Sequence, residues 1–150
     1  MNSAVMFSKA SDEWATPQAF FDALDREFVF GIDCAATPEN AKCDEFYSYV
    51  SEELNALTVP WKREHGVHWC NPPYSQCRAF VEKAARARVF GVTTVMLVPS
   101  RTDTKWFHEF IWEVNRPKSG VEVRFIKGSL KFGDGKNSAP FPSMVVIFRP

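Results

Sequence analysis

The chain has 150 residues, 45% of them hydrophobic and 15% aromatic, with 18 Lys and Arg balancing 18 Asp and Glu. That length suits one domain able to bury a core without disulfide or metal staples, and the composition excludes a disordered chain. No apolar run reaches the roughly 20 residues of a membrane-spanning helix, and the zero net charge excludes a globally basic surface, so any face for a polyanion must be local. Met1 to Ser11 has no sustained apolar core and reads as a poor secretory signal and a loosely ordered start, from which a cytoplasmic location is expected. Cys34, Cys43, Cys70 and Cys77 show neither a Cys-x-x-Cys pair nor zinc spacing; reduced, packed thiols and no bound metal are expected.

In chain order, Thr16-Pro17 ahead of Gln18 to Phe28 predicts a helix capped by Thr16, with Pro17 in its first position. Phe28 to Ala35 reads as a strand interrupted by Gly31, and Glu45 to Val50 as a short helix or strand. Val67 to Cys70 is an apolar strand stopped by Asn71-Pro72-Pro73, because two prolines forbid both helix and central strand. Gln76 to Phe90 is an amphipathic helix closed by Gly91. Val92 to Val98, β-branched and apolar throughout, predicts a strand covered on both faces. Asp103 is expected to cap a helix from Thr104 to Val114. Val121 to Ile126 and Met144 to Phe148 are the last strands, separated by a loop from Gly128 to Ser143. Alternating strands and helices predict an α/β sheet, largely parallel, in which ligands bind beyond the carboxyl ends of the strands. Asp33, Asn71 and Ser100-Arg101 would then share one crevice.

Asn71-Pro72-Pro73-Tyr74 carries the clearest chemistry. An exocyclic amino nitrogen on an aromatic base is a poor nucleophile because its lone pair is delocalised into the ring. The side-chain oxygen of Asn71 and the carbonyl of Pro72 can each accept one N–H of such a group, turning its lone pair toward an electrophile. The prolines hold these oxygens in place, and Tyr74 offers a face on which an extruded base can stack.

The chain resembles the small phage and prophage DNA adenine methyltransferases, which depend on S-adenosylmethionine. The resemblance runs from about Asp12 to Phe148 through Glu13-Trp14-Ala15-Thr16-Pro17, Phe30-Gly31-Ile32-Asp33-Cys34-Ala35-Ala36 and Trp69-Cys70-Asn71-Pro72-Pro73-Tyr74-Ser75. It continues through Leu97 to His108 and Phe125-Ile126-Lys127-Gly128, and ends in Ser138-Ala139-Pro140-Phe141-Pro142-Ser143-Met144. It implies a single methyltransferase domain over 1–150 with a minimal Rossmann-like class I sheet, mostly parallel with an antiparallel C-terminal strand and helices on both faces. Asn71, Pro72, Pro73 and Tyr74 would be the catalytic loop. Trp14, Thr16, Pro17, Asp33, Cys34 and Ala35 would hold S-adenosylmethionine, and Asn55 stands where related enzymes often carry an acidic residue for the donor's adenosine. Ala35-Ala36-Thr37-Pro38 replaces the usual Gly-rich loop, and Ser129 stands where a basic residue is expected.

The implied partner is double-stranded DNA. Arg78, in the first turn after the catalytic loop, and Arg101, Lys127, Lys131 and Lys136 are the candidate phosphate contacts. Two other readings stay open. Asn-Pro-Pro-Tyr would equally hold the carboxamide of a protein glutamine, and a chain lacking the Gly-rich loop could be a catalytically weak DNA-binding module. His65, His68 and His108 lack partners at metal-ligand or dyad spacing and are read as ordinary side chains. Oligomeric state and DNA recognition sequence have no signature in the chain.

Overall fold

The computed structural model describes residues 15–53, 55–132, 137–138 and 141–150. Helix α1 (Gln18–Phe28) leads into strand β1 (Phe30–Ala36) and the short β2 (Phe46–Ser48). Strand β3 (Val67–Cys70) is followed by a 3-10 turn over Tyr74–Gln76 and helix α2 (Cys77–Ala87). Next come β4 (Thr94–Pro99), a π-helical turn over Phe107–Ile111, and a hairpin of β5 (Trp112–Glu113) and β6 (Arg116–Pro117). Strand β7 (Val121–Phe125), the pair β8 (Lys131–Phe132) and β9 (Asn137–Ser138), and β10 (Ser143–Phe148) complete the chain.

Among the described residues the main sheet has six strands in the order β2-β1-β3-β4-β10-β7. β2, β1, β3 and β4 are mutually parallel, while β10 lies antiparallel between β4 and β7. The fold is thus mixed α/β with a mostly parallel sheet, as the strand–helix alternation predicts. Side chains alternate faces with period two. Trp69, Val95, Leu97, Val145 and Ile147 pack on Phe21 and Leu24 of α1. Cys34, Cys70, Met96, Val98, Met144 and Val146 pack on Phe80, Val81 and Ala84 of α2 and on Phe107 and Ile111. Each large apolar side chain so buried stabilises the fold by about 1.5–3 kcal/mol. Helices therefore cover both faces, and α1 is clamped to the sheet edge by Arg124, whose guanidinium donates to both Glu27 carboxylate oxygens at 2.7 Å.

Four expectations are corrected. Pro17, not Thr16, is the N-cap of α1, and no side chain caps that helix; Thr16 lies one residue too early and its hydroxyl is engaged elsewhere. Strand β1 runs on to Ala36, so Asp33 lies within it; its pairing with β3 nevertheless ends at Asp33 opposite Trp69, and there the two strands part. The helix expected to reach Val114 stops at Ile111, because Trp112 turns extended and stacks on Phe107 at 5.6 Å, and Val114 turns the hairpin with a φ of 51°. Thr104, rather than Asp103, caps its start: the hydroxyl accepts the Phe107 N–H and donates to the Arg101 carbonyl. Trp14, Lys136 and the N-terminal segment expected to be loose lie outside the described residues.

Candidate active site

Strand order reverses between β1 and β3, since β1 is followed by β2 on one side and β3 lies on the other. Open α/β sheets bind ligands at such a switch point. Here a cleft of about 140 Å³ opens, lined among others by Thr16, Asp33, Lys42, Trp69, Asn71 and Pro72. Its shape follows from alternation: Asp33 and Ala35 line it, whereas Cys34 points to the opposite face and is fully buried against α2.

The Asp33 carboxylate accepts the Ala35 N–H at 3.1 Å through one oxygen and the Lys42 N–H at 3.0 Å through the other. Burial pushes its carboxyl up from the ordinary range, against the pull of these two donors. It therefore shapes the loop after β1 and still presents a carboxylate edge to the cleft, because each oxygen has a second lone pair. Lys42, which nothing in the sequence pattern singles out, also lines the cleft, and its ammonium donates to Gln18 at 2.7 Å. Asn40, whose amide oxygen accepts the Thr37 N–H at 2.7 Å, completes this polar wall.

Asn71 follows the last residue of β3, so the strand end aims it into the cleft. Its Nδ2 donates to the Thr16 hydroxyl at 2.9 Å, which turns Oδ1 onto the other arm of the amide. Pro72 and Pro73 are buried. The Pro73 carbonyl accepts the Gln76 N–H at 3.0 Å, starting the turn that leads into α2 and leaving the Pro72 carbonyl out of it. Burial holds the neighbouring Cys70 thiol well above its ordinary range, so it stays protonated and acts as packing.

Tyr74 sits between two partners. The Phe141 ring centroid lies 5.5 Å from its own, and the Arg101 guanidinium carbon lies over the ring 5.3 Å from the centroid, with the guanidinium also touching the hydroxyl. Phe141 is brought there by β4: Ser143 pairs with Pro99, and the Pro142 carbonyl accepts the Ser100 N–H at 2.9 Å. Phe141 lay inside a motif block, Pro140-Phe141-Pro142, but only the antiparallel insertion of β10 beside β4 reveals its contact with Tyr74.

The remaining expected residues are scattered. Pro17 caps α1 and is not among the cleft's lining residues, and the Asn55 amide oxygen accepts the Leu57 N–H at 2.9 Å, shaping its own turn. Arg78 pairs with Glu109 at 3.2 Å and lies over Phe110. Lys127 and Lys131 are exposed beyond the carboxyl end of β7, and the adjacent Ile126 N–H donates to the Ser143 carbonyl, which keeps this rim on the Tyr74 side of the sheet. No group of three His, Cys, Asp or Glu side chains among the described residues is arranged to hold a metal ion.

The family described as DNA N-6-adenine-methyltransferase (Dam) matches residues 4–150. The chain belongs to this family. Among its relatives, a DNA N-6-adenine-methyltransferase of Haemophilus phage HP1 is 30% identical over 95% of this chain and 83% of its own length. That of Escherichia phage T1 is 36% identical over 65% of this chain, a match spanning only 40% of the T1 protein. The residues gathered at the β1/β3 switch point all fall inside the family match, Thr16, Asp33 and Asn71 among them.

Proposed function

We propose that this protein methylates the 6-amino group of adenine in double-stranded DNA with S-adenosylmethionine as donor, on a Rossmann-like class I methyltransferase sheet. The observation that carries the reading is the Thr16–Asn71 hydrogen bond, which sets an amide acceptor at the mouth of a cleft bearing an acid and a cation. That cleft suits the zwitterionic end of the donor: Asp33 faces an ammonium and Lys42 a carboxylate, while Ala35 and Trp69 supply apolar wall. When bound, S-adenosylmethionine supplies an electrophilic methyl group on a positively charged sulfur.

The chain's own residues then have three tasks. Asn71 Oδ1 and the Pro72 carbonyl accept the two N–H groups of the adenine amine, and so aim its lone pair at the methyl carbon. Tyr74 and Phe141 receive the extruded base on aromatic surface. Arg101, Lys127 and Lys131 at the strand-end rim contact phosphates and position the duplex without reading its sequence. As the N–C bond forms, the C–S bond breaks with its electron pair left on sulfur, and the nitrogen sheds one proton to solvent. No general base is required, because the nitrogen becomes acidic as the methyl group arrives.

Incubation with labelled S-adenosylmethionine and duplex DNA, followed by digestion to nucleosides, tests this directly. Label in N6-methyladenine is expected; label in cytosine, or in a glutamine side chain of an added protein extract, contradicts it.

A further inference from the structure

We propose that Arg101 is an exchangeable stand-in for the target base, stacking on Tyr74 in the free protein and moving to a phosphate when the base enters. This rests on the adenine-methyltransferase reading above.

The room around Tyr74 makes the exchange necessary. The space bounded by Tyr74, Phe141, Asn71 and Pro99 is about 20 Å³, enough for about one water and far too little for a purine. With the Phe141 ring at 5.5 Å and the Arg101 guanidinium at 5.3 Å, a base can stack on Tyr74 only if a neighbour leaves. Tyr74 is held by the 3-10 turn behind two buried prolines. Phe141 is tethered through the Pro142 carbonyl and the pairing of Ser143 with Pro99. The Arg101 side chain is exposed, with four rotatable bonds between its backbone and its charge.

The backbone of Arg101 is anchored, while its guanidinium meets Tyr74 at the ring and the hydroxyl. Its N–H donates to the Pro99 carbonyl at 2.8 Å, and its carbonyl accepts from the Thr104 N–H and hydroxyl. The guanidinium therefore swings from a fixed pivot at the end of β4, next to the strand end that carries Asn71. A planar cation covers an aromatic face much as a purine does. Once displaced, it meets the nearest fixed anion, a phosphate flanking the extruded nucleotide, and can hold it through two N–H donors. Base entry and phosphate capture thereby become one exchange, and the apolar face of Tyr74 is covered until DNA arrives.

The two halves of the exchange have opposite signatures. Binding of 2′-deoxyadenosine and of a duplex is measured with the donor site saturated by S-adenosylhomocysteine, so that the nucleoside cannot occupy that site. Arg101→Ala is expected to bind the nucleoside about fivefold more tightly than the parent, the loss of one exposed cation–π contact. The same variant should bind duplex more weakly, with a salt dependence shallower by about one phosphate contact. Arg101→Lys, which keeps the charge but stacks less well, is expected to gain nucleoside affinity while keeping the parental salt slope. If Arg101→Ala binds the nucleoside no better than the parent, or neither binds it, the stand-in is wrong. Failure of the underlying reading would show separately, as a parent protein that does not methylate adenine in DNA.

Discussion

Asn71 and Thr16, 55 residues apart in sequence, are joined by a 2.9 Å hydrogen bond from the Asn71 amide to the Thr16 hydroxyl. The bond links the segment entering α1 to the loop leaving β3 and engages the amide nitrogen, which puts the amide oxygen on the other arm. A side chain with an acceptor and a donor at nearly equivalent positions needs such a partner if only the acceptor is to meet substrate.

Removing that partner should release the amide without removing it. Thr16→Val, nearly isosteric but lacking the hydroxyl, is expected to slow methyl transfer at saturating donor about tenfold, or about 1.4 kcal/mol. Thr16→Ser should restore most of the rate. Single-turnover kinetics on the two variants checks this; equal rates would show that the amide is oriented by something else.

Phe141 is expected to matter for base capture more than for donor binding. Phe141→Ala should weaken productive DNA binding by roughly 1–3 kcal/mol, the range for losing one base-stacking aromatic, with donor affinity unchanged in calorimetry. Phe141→Leu, which keeps bulk but no ring, separates stacking from packing.

Gly31 accounts for the closeness of β1 to the turn before β3. A Cβ at this position would stand 1.8 Å from the His65 carbonyl oxygen, a backbone atom that cannot swing aside. Gly31→Ala is therefore expected to destabilise the fold by about 3 kcal/mol, at the upper end of ordinary overpacking. Urea denaturation checks this, and a change under about 1 kcal/mol would mean the two segments part easily.

Much of this architecture is legible in the sequence. The β-branched run at Thr94 to Val98 and the prolines closing β3 follow from local chemistry, and the positions of Asp33 and Asn71 near strand ends gather them into one cleft. Other features depend on contacts that spacing does not carry. Thr16 reads as a helix cap because a Thr-Pro pair precedes an amphipathic run, yet its hydroxyl serves Asn71 across the fold. Trp112 continues an apolar helical pattern, yet stacking on Phe107 and the turn at Val114 make a hairpin. Lys42 enters the site only through tertiary proximity, and Phe141, though inside a quoted block, meets Tyr74 only because β10 inserts beside β4.

His68 sets a stability limit at low pH. Its ring is fully buried, with Nδ1 2.8 Å from the Gly66 carbonyl, and burial pulls its pKa from the ordinary 6.5 down to about 4. The unfolded chain therefore binds the extra proton first. Stability from this group is complete above about pH 6.5 and is lost as pH falls toward 4, by roughly 3 kcal/mol over that window. Denaturation between pH 4 and 7 should show this slope, and His68→Asn, whose amide nitrogen takes the place of Nδ1 but does not titrate, should flatten it.

The central claim is that Asn71 accepts a hydrogen bond from the adenine amine as the methyl group transfers. Its most direct measurement is single-turnover methylation of adenine in duplex DNA at saturating donor by Asn71→Ala, with Asn71→Asp and Cys70→Ser alongside. Asn71→Ala should lose about 2.7–4 kcal/mol of transition-state stabilisation, roughly 100- to 1,000-fold in rate, with donor affinity near normal. Asn71→Asp, which keeps the acceptor oxygen, should retain clearly more activity, and Cys70→Ser should stay close to the parent. Methylation by Asn71→Ala at the parental rate, or loss of all activity in a correctly folded Cys70→Ser, would contradict the acceptor role.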